Sequence, residues 1–149
     1  MAIFSFKLKT LHRLKAQLED QAKNRFGQAV AALNAEIMKL DQIKAAIAAT
    51  VDEFRKLSGG RFTAGRIKEF NYYITVLKER AALQEIAVQE ATHRVNIARE
   101  ALILAARQRE MYDKLREKAF MRHMDEEKRA EHRLTDELVS YRGNTMSII

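Results

Sequence analysis

The chain has 149 residues, no proline, no cysteine and a formal net charge of +7, so it can form neither disulfides nor thiolate metal sites. Average usage would supply about 5% proline, and because proline breaks helices its absence favours long helices joined by few loops. The basic balance would suit nucleic acid, an anionic surface or an acidic protein, but basic and acidic residues interleave from Arg107 to Arg142 and no basic run that could bind phosphates occurs.

The first predicted helix spans about residues 5–57. In its second half, apolar residues are spaced alternately four and three apart, which keeps them on one side of a helix as in a coiled coil. This seam is formed by Phe26, Val30, Leu33, Ile37, Leu40, Lys44, Ile47, Val51 and Phe54. The earlier apolar positions are Phe4, Leu8, Leu11, Leu14 and Leu18. An extra four-residue step from Leu18 through Ala22 to Phe26 predicts a stutter, which locally unwinds a supercoil.

A turn is predicted at residues 58–62, where Gly59 and Gly60 can adopt the left-handed conformation of a helix C-cap. Thr63 is the expected N-cap of a second helix over about residues 63–141. The seam resumes there as Ile67, Phe70, Ile74, Leu77, Ala81, Gln84, Val88, Ala91, Val95, Ala98, Leu102, Ala105, Arg109 and Tyr112. We expect Gly143 and Asn144 to end this helix, within a tail of residues 142–149. Lys44 and Arg109 interrupt the two seams. Such long side chains can extend outward past apolar neighbours, and such positions can help fix the register of the two helices.

Two seams separated by one break predict an all-α fold, in which residues 1–149 form a single long antiparallel two-helix coiled-coil hairpin. With Phe54 placed against Phe70, large residues of the first helix face small ones of the second, and Leu33, for example, meets Ala91. In this register the second helix outlasts the first from about His123 as a C-terminal overhang of roughly 25 Å. Its apolar residues are either incidental at a fraying end or the surface that another protein covers.

The sequence offers no catalytic or cofactor motif, so we expect no enzyme, metal or cofactor. Gly60 and Gly65 have the spacing of a phosphate loop, but no strand precedes them and no Lys-Ser/Thr follows. No two histidines stand four apart, and His123 with Glu127 forms an ordinary helical pair. No signal peptide is expected, because no basic region precedes an apolar one at the N-terminus. The longest apolar runs fall far short of the roughly 18 residues that a membrane span needs.

Three segments occur in a recognisable order along the chain. They are Phe4-Ser5-Phe6-Lys7-Leu8 followed by Leu11 and Leu14, Phe70-Asn71-Tyr72-Tyr73-Ile74 followed by Leu77, and the charged stretch from Tyr112 to Lys118 that continues through Asp136-Glu137. This order resembles the flagellar export protein FliJ family over nearly the whole chain. The resemblance implies a non-enzymatic component of the flagellar type III export apparatus, similar in shape to the γ-subunit stalk of rotary ATP synthases.

The resemblance also implies partners: the hexameric export ATPase, the cytoplasmic domain of the export gate, and export chaperones. It implies no nucleic acid and a cytoplasmic location, at the inner membrane only through the export apparatus. In the family the terminal end of the coiled coil enters the ATPase ring, and the hairpin region meets the gate. Carried over by position, the gate-binding candidates are Phe54, Tyr73 and Leu77, although the register also places Phe54 and Leu77 in the core.

The ATPase-binding candidates follow from the geometry of the overhang. They are Phe120, Met124, Arg129 and Arg133. Other functions remain open at this point: the stalk of a virulence type III secretion system or of a rotary ATPase, and a coiled coil that binds nucleic acid.

Overall fold

The computed structural model describes residues 3–57 and 63–148, which form two α-helices and no strand. Helix α1 is Lys9–Leu57 and helix α2 is Ala64–Ile148. The helices run antiparallel and pack against each other, since residues late in α1 contact residues early in α2, as Phe54 does with Phe70. The predicted all-α two-helix hairpin is therefore confirmed. The predicted turn at 58–62 lies outside the described residues.

The N-terminal ends of both helices are set by local hydrogen bonds. Helix α1 begins at Lys9 rather than near Ser5, and the Lys9 backbone N–H donates to the carbonyl of Phe6 at 3.1 Å. Helix α2 is capped by Thr63, whose Oγ1 accepts the backbone N–H of Arg66 at 3.4 Å. The predicted N-cap is confirmed.

The predicted end of the second helix at Tyr141, with a tail over residues 142–149, is wrong, because α2 continues to Ile148. Gly143 and Asn144 lie within the helix, and no described glycine has a positive φ. A glycine inside a helix costs only about 1 kcal/mol relative to alanine. With no proline to remove a backbone donor, nothing in the sequence forces the helix to stop there.

Contacts divide the chain into two compact units. The central unit is Gln21–Ile103, and the terminal unit combines Met1–Asp20 with Leu104–Ile149. Each unit contains a segment of α1 and a segment of α2. No helix among the described residues has a stretch both long and apolar enough to cross a membrane.

The central unit has a largely apolar interface that follows the predicted seams at most positions. Ile37 and Lys44 of α1 were predicted to be seam residues but are exposed, and their neighbours Glu36 and Ile43 are half-buried instead. The most deeply buried side chains are Ala22, Leu40, Leu77, Ala91 and Val95. The rings of Phe54 and Phe70 stack with their centroids 4.0 Å apart.

One polar group also enters the interface of the central unit. Gln84 donates from Nε2 to the backbone carbonyl of Glu36 at 2.9 Å and to the Glu36 carboxylate. The hydrogen bond to the carboxylate favours its charged form and lowers the pKa of Glu36.

The terminal unit has a polar interface where the sequence predicted leucines. The side chains that turn towards α2 are Leu8, just before α1, and His12, Lys15 and Glu19 of α1, again spaced four and three apart. This spacing continues without an extra step through Ala22, Phe26, Ala29 and Leu33, which are buried or half-buried, so the predicted stutter is wrong. Leu11, Leu14 and Leu18 are instead 42%, 45% and 39% exposed. The polar residues can occupy the interface because each finds a partner on α2.

Candidate partner-binding surfaces

The predicted gate-binding residues lie in the central unit and differ in exposure. Tyr73 is 51% exposed, whereas Leu77 is 5% exposed. Phe54 is half-buried, and its ring is stacked on Phe70. Tyr73 is therefore the member of this trio with a ring free to contact a partner, while Phe54 and Leu77 hold the two helices together.

Other apolar side chains in the parts of α1 and α2 next to the predicted turn are also exposed. Tyr72 is 74% exposed, Leu57 is 59% exposed and Ile67 is 42% exposed. Ile67 was predicted to be a seam residue, but it is exposed, and Phe70 is the first half-buried residue of α2. The exposure of Ile67 could have been predicted from its position close to the turn, because a seam residue there has an opposing helix on one side only.

The predicted ATPase-binding residues lie in the terminal unit, on the last third of α2. Phe120 packs edge-on against Phe4, with ring centroids 5.2 Å apart and planes at 86°. Phe4 also lies 5.6 Å from the ring of His123. Phe120 is nevertheless 45% exposed and Met124 is 39% exposed. Phe4 of the N-terminal segment thus covers one side of the Phe120 and His123 rings, and the other side of Phe120 stays accessible.

Beyond Glu127, α2 is exposed on all sides as far as its side chains are described. Every described side chain from Lys128 to Asn144, including Arg129 and Arg133, is exposed. The large apolar members are Leu134, Leu138, Val139 and Tyr141, which are between 57% and 71% exposed. The C-terminal overhang of the predicted fold is therefore present.

A cluster of charged side chains joins the two helices of the terminal unit. Arg109 donates from its guanidinium to the carboxylates of Glu19 and Asp113. The second oxygen of Asp113 lies 2.5 Å from Nε2 of His12. Beside the cluster, Lys15 donates to the side-chain oxygen of Gln108 at 3.2 Å. Each polar residue of the α1 seam thus meets a polar residue of α2.

The cluster has the properties of a structural ion-pair network. Glu19 is 5% exposed, and its hydrogen bond raises the pKa of Arg109 above the usual range, so the guanidinium stays charged. Arg109 was predicted to extend outward past its apolar neighbours. It turns into the interface instead, where it pairs with Glu19. Glu19 was not predicted to lie in the interface, although Glu19 and Arg109 carry opposite charges at seam positions of the two helices. Among the described residues, no group of three His, Asp or Glu side chains is arranged to hold a metal ion.

Two comparisons with known proteins find matches. A family model described as the flagellar FliJ protein matches residues 4–145. A solved structure described as a YscO homologue from Chlamydia trachomatis has 19% sequence identity and a TM-score of 0.54, and the alignment covers 91% of this chain and 93% of the other. At that identity the likeness concerns the fold alone. No curated protein sequence matches the chain.

Proposed function

The chain belongs to the family of the flagellar FliJ protein, and we propose that it is a non-enzymatic stalk and adaptor of the flagellar type III protein export apparatus. The family match confirms the resemblance seen in the sequence. In the proposed role the chain binds the hexameric export ATPase, the cytoplasmic domain of the export gate and export chaperones. These contacts would hold it at the cytoplasmic face of the inner membrane.

The exposed end of α2 is the observation that carries this proposal. A helix in water gains most of its stability from tertiary packing of an apolar face. The segment from Lys128 to Asn144 has no buried side chain, yet it carries four large apolar ones. A partner that covers Leu134 and Leu138 would supply the missing packing.

An ATPase ring is a suitable partner for such a helix. A ring can bury side chains on all sides of an isolated helix, whereas a flat surface can bury only one. Arg129 and Arg133 would then meet carboxylates of the ring, and Phe120 and Met124 would lie at its entrance. Because the chain would bind the assembled ring and not separate subunits, it would stabilise the hexamer by mass action.

Tyr73 is the proposed anchor for the export gate. Exposed tyrosines often supply much of the binding energy of an interface, because a large ring is buried at little entropic cost. Tyr72 adds a second exposed ring. Phe54 and Leu77 contribute indirectly, by fixing the positions of the helices that carry Tyr73.

The proposal is tested by removing the exposed end of α2 and measuring ATP hydrolysis by the purified export ATPase. Truncation after Glu127 keeps the contacts of Phe4 with Phe120 and His123, and also the pair of His123 Nε2 with Glu127 Oε1 at 3.3 Å. We expect the truncated chain to keep its hairpin, by circular dichroism, and to lose stimulation of the ATPase. Full stimulation by the truncated chain would contradict ring docking through the overhang.

A pair of charge reversals separates a specific contact from a general charge effect. Arg129→Glu with Arg133→Glu should abolish stimulation. The matched control is Lys78→Glu with Arg80→Glu, which changes the net charge equally at exposed positions of the central unit. Equal loss in both double variants would mean that net charge alone matters.

The alternative role in a virulence type III secretion system predicts a different phenotype. Deletion of the gene should abolish swimming if the chain serves the flagellum. Intact swimming with loss of secreted virulence proteins would favour the alternative.

A further inference from the structure

The leucines that the interface of the terminal unit leaves exposed form a stripe along α1. Leu11, Leu14 and Leu18 are 42%, 45% and 39% exposed. Each of them immediately precedes a seam residue, namely His12, Lys15 or Glu19. One residue corresponds to about 100° of rotation around a helix. The three leucines therefore lie on one side of the seam.

Helix α2 carries a matching stripe within the same unit. Leu104, Met111 and Leu115 are 58%, 54% and 40% exposed. Leu104 and Met111 immediately precede the seam residues Ala105 and Tyr112, and Leu115 precedes Arg116, an exposed residue that continues the seam spacing four positions after Tyr112.

The two stripes face the same side of the terminal unit. In an antiparallel pair of right-handed helices, the positions that precede the seam on each helix point to the same side of the interface. The side chains bear this out near the N-terminus, where Lys7 and Leu8 of the chain start line one groove together with Leu115 and Lys118 of α2. Six large apolar side chains thus border one groove between the helices.

Charge is distributed unevenly between the two sides of the terminal unit. Over residues 7–18 and 104–122, three exposed basic residues immediately precede positions of the seam spacing and so lie on the side of the apolar groove; they are Lys7, Lys118 and Arg122. Two others, Lys9 and Arg13, immediately follow seam positions and lie on the opposite side. The acidic residues of the same ranges all immediately follow a seam position, on the opposite side; they are Glu110, Asp113 and Glu117. Over these ranges the charged residues on the side of the groove are therefore basic, and Glu126 lines the groove only beyond them, at its end next to Arg122 and His123.

We propose that this groove binds an acidic amphipathic helix of another protein, which packs against Leu11, Leu14, Leu18, Leu104, Met111 and Leu115 as a third helix. Its apolar residues would be spaced three and four apart, and its flanking carboxylates would meet the basic border. The α2 stripe from Leu104 to Leu115 is roughly 17 Å long, so a partner helix of about three turns covers it.

The charge of the border also argues against a second copy of this chain in the groove. Two copies that met through this side would bring their own lysines and arginines together. The proposal does not depend on the export function, because it uses neither the overhang nor the surface around Tyr73.

The test measures binding of a fluorescent synthetic peptide to the full chain by anisotropy. The probe is a helix of about three heptads with leucine at the inward positions and glutamate beside them. One comparison peptide has lysine in place of glutamate, and another has the same composition in scrambled order. We expect the glutamate peptide to bind at least about tenfold more tightly than either. Its affinity should fall with added salt, because exposed charges are screened.

Variants of the chain locate the bound peptide. Met111→Glu should weaken binding at least about tenfold, and Leu14→Glu should do the same from the other helix. The matched control is Met38→Glu, the same substitution at a methionine of the central unit that is 63% exposed. Because all three side chains are exposed, helicity by circular dichroism should not change.

Three results would overturn the proposal. The lysine peptide could bind as tightly as the glutamate peptide, or Met38→Glu could weaken binding as much as Met111→Glu. Alternatively, sedimentation could show that the chain self-associates and that Met111→Glu abolishes the association, which would assign the groove to a second copy.

Discussion

Arg109 of α2 donates a hydrogen bond to the carboxylate of Glu19 on α1, a side chain that is only 5% exposed. A buried carboxylate is costly unless a positive partner meets it, and removal of the partner leaves that cost uncompensated. The pair therefore fixes which residues of the two helices lie opposite each other in the terminal unit.

Arg109→Ala should destabilise the chain, because Glu19 would remain buried without this partner. We expect a fall in Tm of at least about 3 °C in a thermal melt followed by circular dichroism. The double variant Glu19→Leu with Arg109→Leu should recover most of the loss, since apolar residues can replace a buried ion pair. If the double variant is less stable than Arg109→Ala, then the ion pair itself adds net stability, beyond compensating the cost of burying Glu19.

Glu36 provides a pH-dependent contribution to stability in the central unit. Its pKa lies below the ordinary value of 4.5, chiefly because Gln84 donates to the carboxylate. A lowered folded-state pKa means that this contribution is present above about pH 4.5 and is lost as the pH falls through the lowered pKa. An NMR titration of the Glu36 side-chain carbonyl carbon should show a low midpoint, and Gln84→Ala should raise it. An unchanged midpoint in that variant would remove Gln84 as the cause.

Tyr73→Ala and Leu77→Ala should separate binding from packing near the proposed gate surface. Leu77 is 5% exposed, so its truncation should cost about 2–3 kcal/mol of unfolding free energy. Tyr73 is 51% exposed, so its truncation should cost less than about 0.5 kcal/mol while weakening binding to the isolated cytoplasmic domain of the gate. Denaturant unfolding measures the effect of each variant on stability, and the affinity for the gate domain measures its effect on binding. A clear loss of stability in Tyr73→Ala would make Tyr73 a structural residue.

Backbone amides from Lys128 to Asn144 should exchange hydrogen fastest among the helical residues of the free chain. No side chain of this segment is buried, whereas Ala91 and Val95 of the central unit are 5% and 4% exposed. Hydrogen exchange with mass spectrometry measures the contrast directly. Addition of the export ATPase should protect the segment, and protection confined to the central unit would place the ATPase elsewhere.

The periodicity of the sequence predicts the central unit well because that interface is apolar. From Phe70 to Val95 of α2, the predicted seam residues are all half-buried or buried. Periodicity fails in the terminal unit, where hydrophobicity selects Leu11, Leu14 and Leu18 but the interface takes their polar neighbours. The polar positions are chosen over the leucines because each polar residue pairs with a polar residue of α2. Such pairing can be predicted only when the sequences of both helices are compared.

The candidate surfaces follow the predicted register more closely. The register correctly predicts that α2 outlasts α1, because helix lengths follow from sequence distance to the turn. The same register sets Phe4 opposite Phe120, and the two rings pack together although Phe4 lies in a non-helical segment before Lys9. The register also places Phe54 and Leu77, but not Tyr73, in the core, and in the structure Phe54 is half-buried, Leu77 is buried and Tyr73 is exposed.

The two units differ in when they can form during synthesis. The central unit is a continuous stretch, Gln21–Ile103, and can close while the ribosome is still adding residues. The terminal unit joins the first residues made to the last, and its contact of His12 with Asp113 spans 101 positions. Closing so distant a contact is slow for a free chain, but a hairpin that has already formed brings the two segments together in advance. The newly made protein therefore keeps Leu11, Leu14 and Leu18 without a second helix beside them until translation is almost complete.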